Sequence, residues 1–166
     1  MRHANIQNVS FRRKREGKTN YRKRFRLVGS EQPRLVIRIT NTKIIAQLIS
    51  YEEKGDKVLV ATDSRALLKS GWKGSVKNLP AAYMLGFLIA KKATKAGITN
   101  AIADIGFHTS IPGNRVYAAL KGAVEGGLGI PVSEEIFPSE DRLAGKHIEG
   151  FANNVDSMKK AMEKEA

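Results

Sequence analysis

The chain has 166 residues, a length that suits one domain with its own core and no metal or disulfide staples. At 42% hydrophobic and 27% charged it is no disordered chain, and the absence of cysteine excludes disulfides, zinc–thiolate sites and thiol nucleophiles and fits a reducing interior. A net charge of +13 asks for an anionic partner.

That charge is unevenly placed. Residues 1–26 carry ten basic side chains against Glu16 alone, a net of +9, whereas the other 140 residues hold 19 basic and 15 acidic ones, a net of +4. The first ten residues are mostly polar and lead into "FRRKREGKTNYRKRFR" instead of an apolar segment, so no secretory signal is expected. Gly17-Lys18-Thr19 has the ending of a phosphate-binding loop. Such a loop needs a further glycine where Arg12 stands, and a buried strand where "FRRKR" would place adjacent cations inside a sheet. The stretch reads instead as a nucleic-acid arm. Arginine forks grip phosphate oxygens and lysines add point charge, while Phe11, Tyr21 and Phe25 are spaced to stack on unpaired bases or pack beneath the arm. Self-repulsion predicts an extended arm that becomes ordered against its anion. Thr19 or Asn20 is placed to cap a short helix that docks on the domain through Tyr21, Phe25 and Val28, with its arginines pointing away. A membrane-binding helix needs a wider apolar face than these three supply.

The turn-rich junction 29–33 closes the arm. From Arg34 the period becomes two: "RLVIRI" (34–39), "IIAQLISY" (44–51) and "KVLVATDS" (57–64) read as strands of an antiparallel meander, turning at Asn41-Thr42 and Lys54-Gly55-Asp56. An apolar helix is expected from Leu79 to Ala96, with Pro80 in its first turn, Gly97 at its end and Lys91, Lys92 and Lys95 near the negative end of its dipole. Its apolar run is too short for a bilayer, which needs ~20 residues, so a soluble protein is expected. "AIADIG" (101–106) reads as a central strand, parallel to a neighbour. A second helix is expected from about Asn114 to Glu125 on a stripe of Val116, Leu120 and Val124. An irregular acidic stretch and a charged helix near 155–164 follow. The order is arm-βββαβα-tail, an α/β mixed sheet, divided into a basic arm (1–29), the α/β domain (30–130) and a C-terminal segment packed on it (131–166).

Strand order βββαβα also suits a metal-dependent nuclease, which needs converging carboxylates. "RLVIRI" has none, and Asp63 and Asp104 alone make a poor metal cage; both read as partners of backbone donors or cations. His3, His108 and His147 lack metal-ligand spacing, and Ser110 and Ser139 lack a nucleophile-elbow pattern. Glu134, Glu135, Glu140 and Asp141 read as a patch that pairs with basic side chains or a partner, not as an acid/base pair. Trp72 in "GWKG" is either a cap on the core or an exposed stacking platform. "IPGNRVYAALKG" (111–122) opens a helix at Gly113 and Asn114, where outward amides suit an anion beside Arg115 and Lys121.

Four strings, "FRRKREGKTNYRKR", "GWKGSVKNLPAAY", "IPGNRVYAALKGA" and "IPVSEEIFPSEDR", together resemble the large-subunit ribosomal protein L-eighteen family in its archaeal and eukaryotic form. They run in register from about Phe11 to Arg142, and the short C-terminal part favours the archaeal type. The resemblance implies a fold related to the ribonuclease-H-like group of translational-machinery components. It further implies a cytoplasmic, non-catalytic ribosomal protein without a cofactor or small-molecule substrate, not membrane-bound and not a homo-oligomer. Its expected partners are 5S ribosomal RNA, 23S ribosomal RNA and neighbouring proteins of the central protuberance. Carried over with the arm's charge, the expected RNA-binding residues are Arg12, Arg13, Lys14, Arg15, Lys18, Tyr21, Arg22, Arg24 and Arg26, joined by Trp72, Lys73, Asn114 and Arg115. Asn20 and Asn114 depart from the family's pattern.

Overall fold

A computed structural model describes residues 9–148 and 152–164; His3 and Arg2 lie outside the described residues. Two short helices, α1 (Arg12–Arg15) and α2 (Tyr21–Val28), precede strands β1 (Arg34–Ile39), β2 (Ile44–Ser50) and β3 (Lys57–Asp63). Helices α3 (Ala66–Lys69) and α4 (Leu79–Lys95), strand β4 (Ile102–Asp104) and helix α5 (Arg115–Glu125) follow. A 3₁₀ turn (Glu134–Ile136) and helices α6 (Glu140–Ala144) and α7 (Ala152–Lys164) complete the chain.

The four strands form one mixed sheet in the order β3-β2-β1-β4. The meander is antiparallel, and β1 pairs with β4 in parallel. The short β4 is an edge strand, not the central one its continuous apolar run suggests. A short apolar run does not by itself tell an edge strand from a central one, and β4 is only partly buried at Ile102 and Ala103.

Alternation along β1 and β2 separates two faces. Leu35, Ile37, Ile44, Ala46 and Leu48 are at most 1% exposed and face the main helices, as period-two side chains of a half-covered sheet must. Helix α4 is capped by the Asn78 side chain, which accepts from the Ala81 amide at 2.9 Å, and Pro80 occupies its first turn, where no amide hydrogen is needed. It is buried almost all round, so its amphipathicity is weak. Helix α5 crosses it at very close range. A Cβ built on Gly86 lies 1.9 Å from the Ala119 carbonyl oxygen, and one on Gly122 lies 2.0 Å from that of Tyr83. Only hydrogen fits at either point. The buried residues of α5 are Val116, Tyr117, Ala118, Ala119, Leu120, Gly122 and Ala123, whereas Val124, expected in that stripe, is 39% exposed. Val116 and Leu120 of the stripe are buried as expected, and Gly86 and Gly122 set the close approach of α5 to α4.

At the other end, Val155, Met158 and Met162 of α7 are buried, a helical-period face that packs beside α4. Lys159 of the same helix donates to the Tyr83 hydroxyl and to Glu125, each at 2.9 Å, and the Tyr83 hydroxyl also donates to Glu125. Burial and the hydrogen bond to Glu125 push the Tyr83 phenol up to about 12. No helix among the described residues is long and apolar enough to cross a membrane.

Candidate nucleic-acid interface

The second face of the sheet is charged. Arg34 and Arg38 project from β1 beside Asp104 at the end of β4, and Asp56 reaches in from the β2–β3 turn. Arg34 is 3% exposed, so its charge needs partners inside the protein. It donates to Asp56 at 2.8 Å and to Asp104 at 3.1 Å. Arg38 donates to the other oxygen of Asp104 at 3.3 Å and to the carbonyls of Ile37 and Asp104 at 2.8 and 3.0 Å. The Gly106 amide adds a bond to Asp104 at 2.9 Å. Glycine suits that place, because φ is +60° and a Cβ would displace the Arg38 guanidinium, which lies 2.8 Å from its position.

Helix α2 closes this chain of charges. Asn20 caps it, its side chain accepting from the Lys23 amide at 3.1 Å. One turn on, Arg24 grips Asp56 with both ends of its guanidinium, at 2.7 and 2.8 Å, the bidentate geometry that arginine favours. Lys23 donates to the Gly106 carbonyl at 3.3 Å. Partial burial raises the pKa of Asp56, but the hydrogen bonds from Arg24 and Arg34 outweigh it and hold the carboxyl below its ordinary value. The bond to Asp56 likewise raises the pKa of Arg24.

The arm therefore differs from its expected form in three respects. The helix expected after Asn20 is present at 21–28, but the stretch before it is also helical, at 12–15, and not extended. Its docking side is Lys23, Arg24 and Leu27, while Phe25 is 82% exposed. The anion that meets α2 belongs to the domain itself, which relieves part of the repulsion that predicts an unfolded arm. Gly17 sits in the turn between α1 and α2 with φ +63°, far from the strand–loop–helix setting of a phosphate loop. Thr19 accepts from Arg13 Nε at 2.9 Å.

The remaining arm cations face outward. Arg12, Arg13, Lys14, Arg15, Lys18, Arg22 and Arg26 are exposed. Glu16 touches Lys18 at 2.8 Å and Arg12 at 3.7 Å, and among the described residues Lys14, Arg15, Arg22 and Arg26 have no carboxylate partner. Tyr21 is half-buried and its ring lies 5.2 Å from that of Phe11, which is 73% exposed.

A second basic hollow lies beyond the ends of β1 and β4, lined by Thr40, Asn41, Lys77, His108, Asn114 and Arg115. The loop after β4 serves both places: Gly106 and Phe107 line the cleft under α2, and His108 lines the hollow. Asn114 caps α5, its side chain accepting from the Arg115 amide at 2.6 Å, so that amide is engaged internally. Arg115 donates to the Lys77 carbonyl at 3.1 Å. His108 Nε2 accepts from the Ile39 amide at 3.1 Å. Burial, with Arg38 and Arg115 nearby, lowers its pKa and keeps the ring neutral, as this acceptor role requires. Trp72 is 4% exposed and donates to the Ser75 carbonyl at 3.2 Å; of its two readings the structure shows the core cap, and no stacking platform is presented. Lys73 next to it is exposed. Lys23, Arg38, Lys77 and Phe107 join these surfaces without having been singled out by sequence. Arg38 and Phe107 sit in stretches that read as strand and loop, and only pairing with the arm reveals them.

Several of the acidic residues meet cations. Asp63 accepts from Lys43 at 2.6 Å and from the Arg65 amide at 3.2 Å. Asp141 pairs with Lys146 at 2.6 Å and Glu140 with Lys121 at 3.9 Å. Among the described residues no group of three or more His, Asp or Glu side chains is placed to hold a metal ion.

The protein is a basic α/β domain whose sheet-face carboxylates are bound by internal cations and whose arm presents exposed cations. Its sequence matches the family described as ribosomal large subunit proteins 60S L5 and 50S L18 over residues 6–100. It is 51% identical to large ribosomal subunit protein uL18 of Methanoregula boonei over 164 residues, 95% of this chain and 94% of that protein. It is likewise 51% identical to uL18 of Korarchaeum cryptofilum over 148 residues, 89% of this chain and 76% of that protein. The chain belongs to this family of large-subunit ribosomal proteins. It is a structural component of the cytoplasmic ribosome and not an enzyme.

Proposed function

We propose that the chain binds 5S ribosomal RNA and attaches it to 23S ribosomal RNA in the central protuberance, beside neighbouring large-subunit proteins. One observation carries this reading: the arm divides its cations into an inner set, Lys23 and Arg24, that docks on the domain, and an outer set left exposed, of which Arg22 and Arg26 stand on the docked helix. A docked helix presents its charges in a defined geometry, which suits a folded RNA of definite shape better than a tail would. Arg12, Arg13, Lys14, Arg15, Lys18, Arg22 and Arg26 hold phosphate, with Lys73 and Arg115 making a second contact. Tyr21 and Arg24 support that surface from beneath, and Asn114 orients the start of α5.

The test is a titration of labelled 5S ribosomal RNA with the full chain at about 150 mM salt, with excess transfer RNA as competitor. Saturable one-to-one binding that survives the competitor is expected. Binding abolished by the competitor defeats 5S recognition and leaves only generic charge.

A further inference from the structure

The cleft between α2 and the charged face of the sheet is more than a seam. It has a volume of about 220 Å³ and is lined by six cations against two carboxylates. Both carboxylates, Asp56 and Asp104, are already held by Arg24, Arg34 and Arg38, so the cleft keeps an excess of positive charge toward an outside anion, and Arg13, Lys18 and Lys23 are its cations that bond to neither carboxylate. Phe107 lines the same cleft and is 59% exposed. It is not part of the buried core, and helix docking is accounted for by Arg24, Lys23 and Asp56. At the mouth, the Thr19 hydroxyl accepts from Arg13 and so keeps its own hydrogen to donate.

An exposed aromatic face within a cationic ring is what an unpaired base requires: a surface to stack on and charge for its phosphates. The volume is below the ~300–1,000 Å³ of pockets that enclose drug-sized ligands, which suits a single ring system and excludes a helix. We propose that this cleft takes one unpaired base of the bound RNA, stacked on Phe107, with Thr19 donating to a base carbonyl and Arg13, Lys18 and Lys23 on the adjoining phosphates. The inference rests on the RNA-binding reading above and adds a base contact to a surface otherwise made for phosphate.

Two RNAs separate the inference from the reading it rests on. The full chain and its Phe107→Ala, Phe107→Leu and Phe107→Tyr variants are titrated with a short mixed-sequence single strand, with the duplex of equal length, and with 5S ribosomal RNA, at two salt concentrations. Circular dichroism checks that each variant is folded, as the exposure of Phe107 leads one to expect. A base site predicts that Phe107→Ala and Phe107→Leu weaken single-strand binding by about 5- to 100-fold, that Phe107→Tyr retains it, and that duplex binding and the salt slope do not move. Single-strand binding by Phe107→Ala equal to that of the parent overturns the proposal and assigns Phe107 to a protein contact instead. If 5S binding yields to transfer RNA while the Phe107 effect on the single strand persists, the 5S reading fails and the base site stands.

Discussion

Arg24 and Asp56, 32 residues apart in sequence, meet as a two-pronged ion pair with N···O distances of 2.7 and 2.8 Å. Through Asp56 the pair reaches the buried Arg34, and through Arg34 it reaches Asp104 and Arg38. The position of the arm helix is thus set by the interior of the sheet.

Removing Asp56 should undock α2 and leave Arg34 short of a partner. Asp56→Ala is expected to lose roughly 1.5–3 kcal/mol, the range for hydrogen bonds to charged groups. Urea unfolding reads the loss, and hydrogen exchange should show faster amides across Tyr21–Val28. Because the carboxyl is held below its ordinary 3.8, its contribution is complete above that value and is lost as pH falls through the lower folded value. Asp56→Asn should therefore flatten the acid limb of the stability curve.

The α4–α5 crossing should tolerate no methyl group. Gly86→Ala and Gly122→Ala each drive a Cβ into a carbonyl oxygen, and each is expected to destabilise by about 1–3 kcal/mol or more. Gly29→Ala, where the nearest atom is 3.5 Å from the Cβ position, should stay within about 0.5 kcal/mol of the parent. Thermal unfolding ranks the three; a neutral Gly86→Ala contradicts the packing.

His108 should make the domain mildly acid-sensitive. Its folded pKa is depressed, so the neutral ring's contribution is complete above about 6.5 and is lost as pH falls below that towards the folded value. His108→Leu should remove this part of the pH dependence between about pH 7.5 and about pH 5.5, measured as the change in unfolding free energy.

At the alkaline end the Tyr83–Glu125–Lys159 cluster acts in the opposite sense. The Tyr83 phenol, up at about 12 from its ordinary 10.0, contributes stability that is complete below 10.0 and is lost as pH rises through about 12. Lys159 is also raised, since its hydrogen bonds to Tyr83 and Glu125 outweigh the effect of burial, so its contribution fades in the same direction. Tyr83→Phe should blunt alkaline unfolding, and Lys159→Met should loosen α7, seen as earlier proteolysis near the C-terminus.

The outward cations of α1 should govern salt dependence more than fold. Replacing Arg12, Arg13, Lys14 and Arg15 together with Gln is expected to lower the salt slope of RNA binding by up to about 4, near 1 for each phosphate that is no longer held. Thermal stability should hardly change, because none of the four is buried. An unchanged slope moves the phosphate-binding surface elsewhere.

Much of this was legible along the chain. The period-two runs marked β1 to β3, Asn20 (with Thr19 as its alternative) and Pro80 marked two helix starts, and the +9 arm marked an anionic partner. These features rest on local rules, in which a residue's neighbours in sequence decide its structure. What escaped depended on partners distant in sequence. Phe25 looked like a docking residue because it is apolar, yet the docking site is ionic and selects Arg24. Trp72 had two equal readings until its burial was visible. Val124 fitted the helical stripe, yet it is 39% exposed.

By itself the sequence determined a basic α/β protein with three meandering strands, two main helices and a charged N-terminal arm, since composition, periodicity and capping are written residue by residue. Only the tertiary structure decided which cations face the solvent and which face Asp56 and Asp104. That choice depends on contacts of Arg34 and Arg38 with Asp104 across 70 and 66 residues, and ionic attraction between such distant groups exists only once the chain has brought them together.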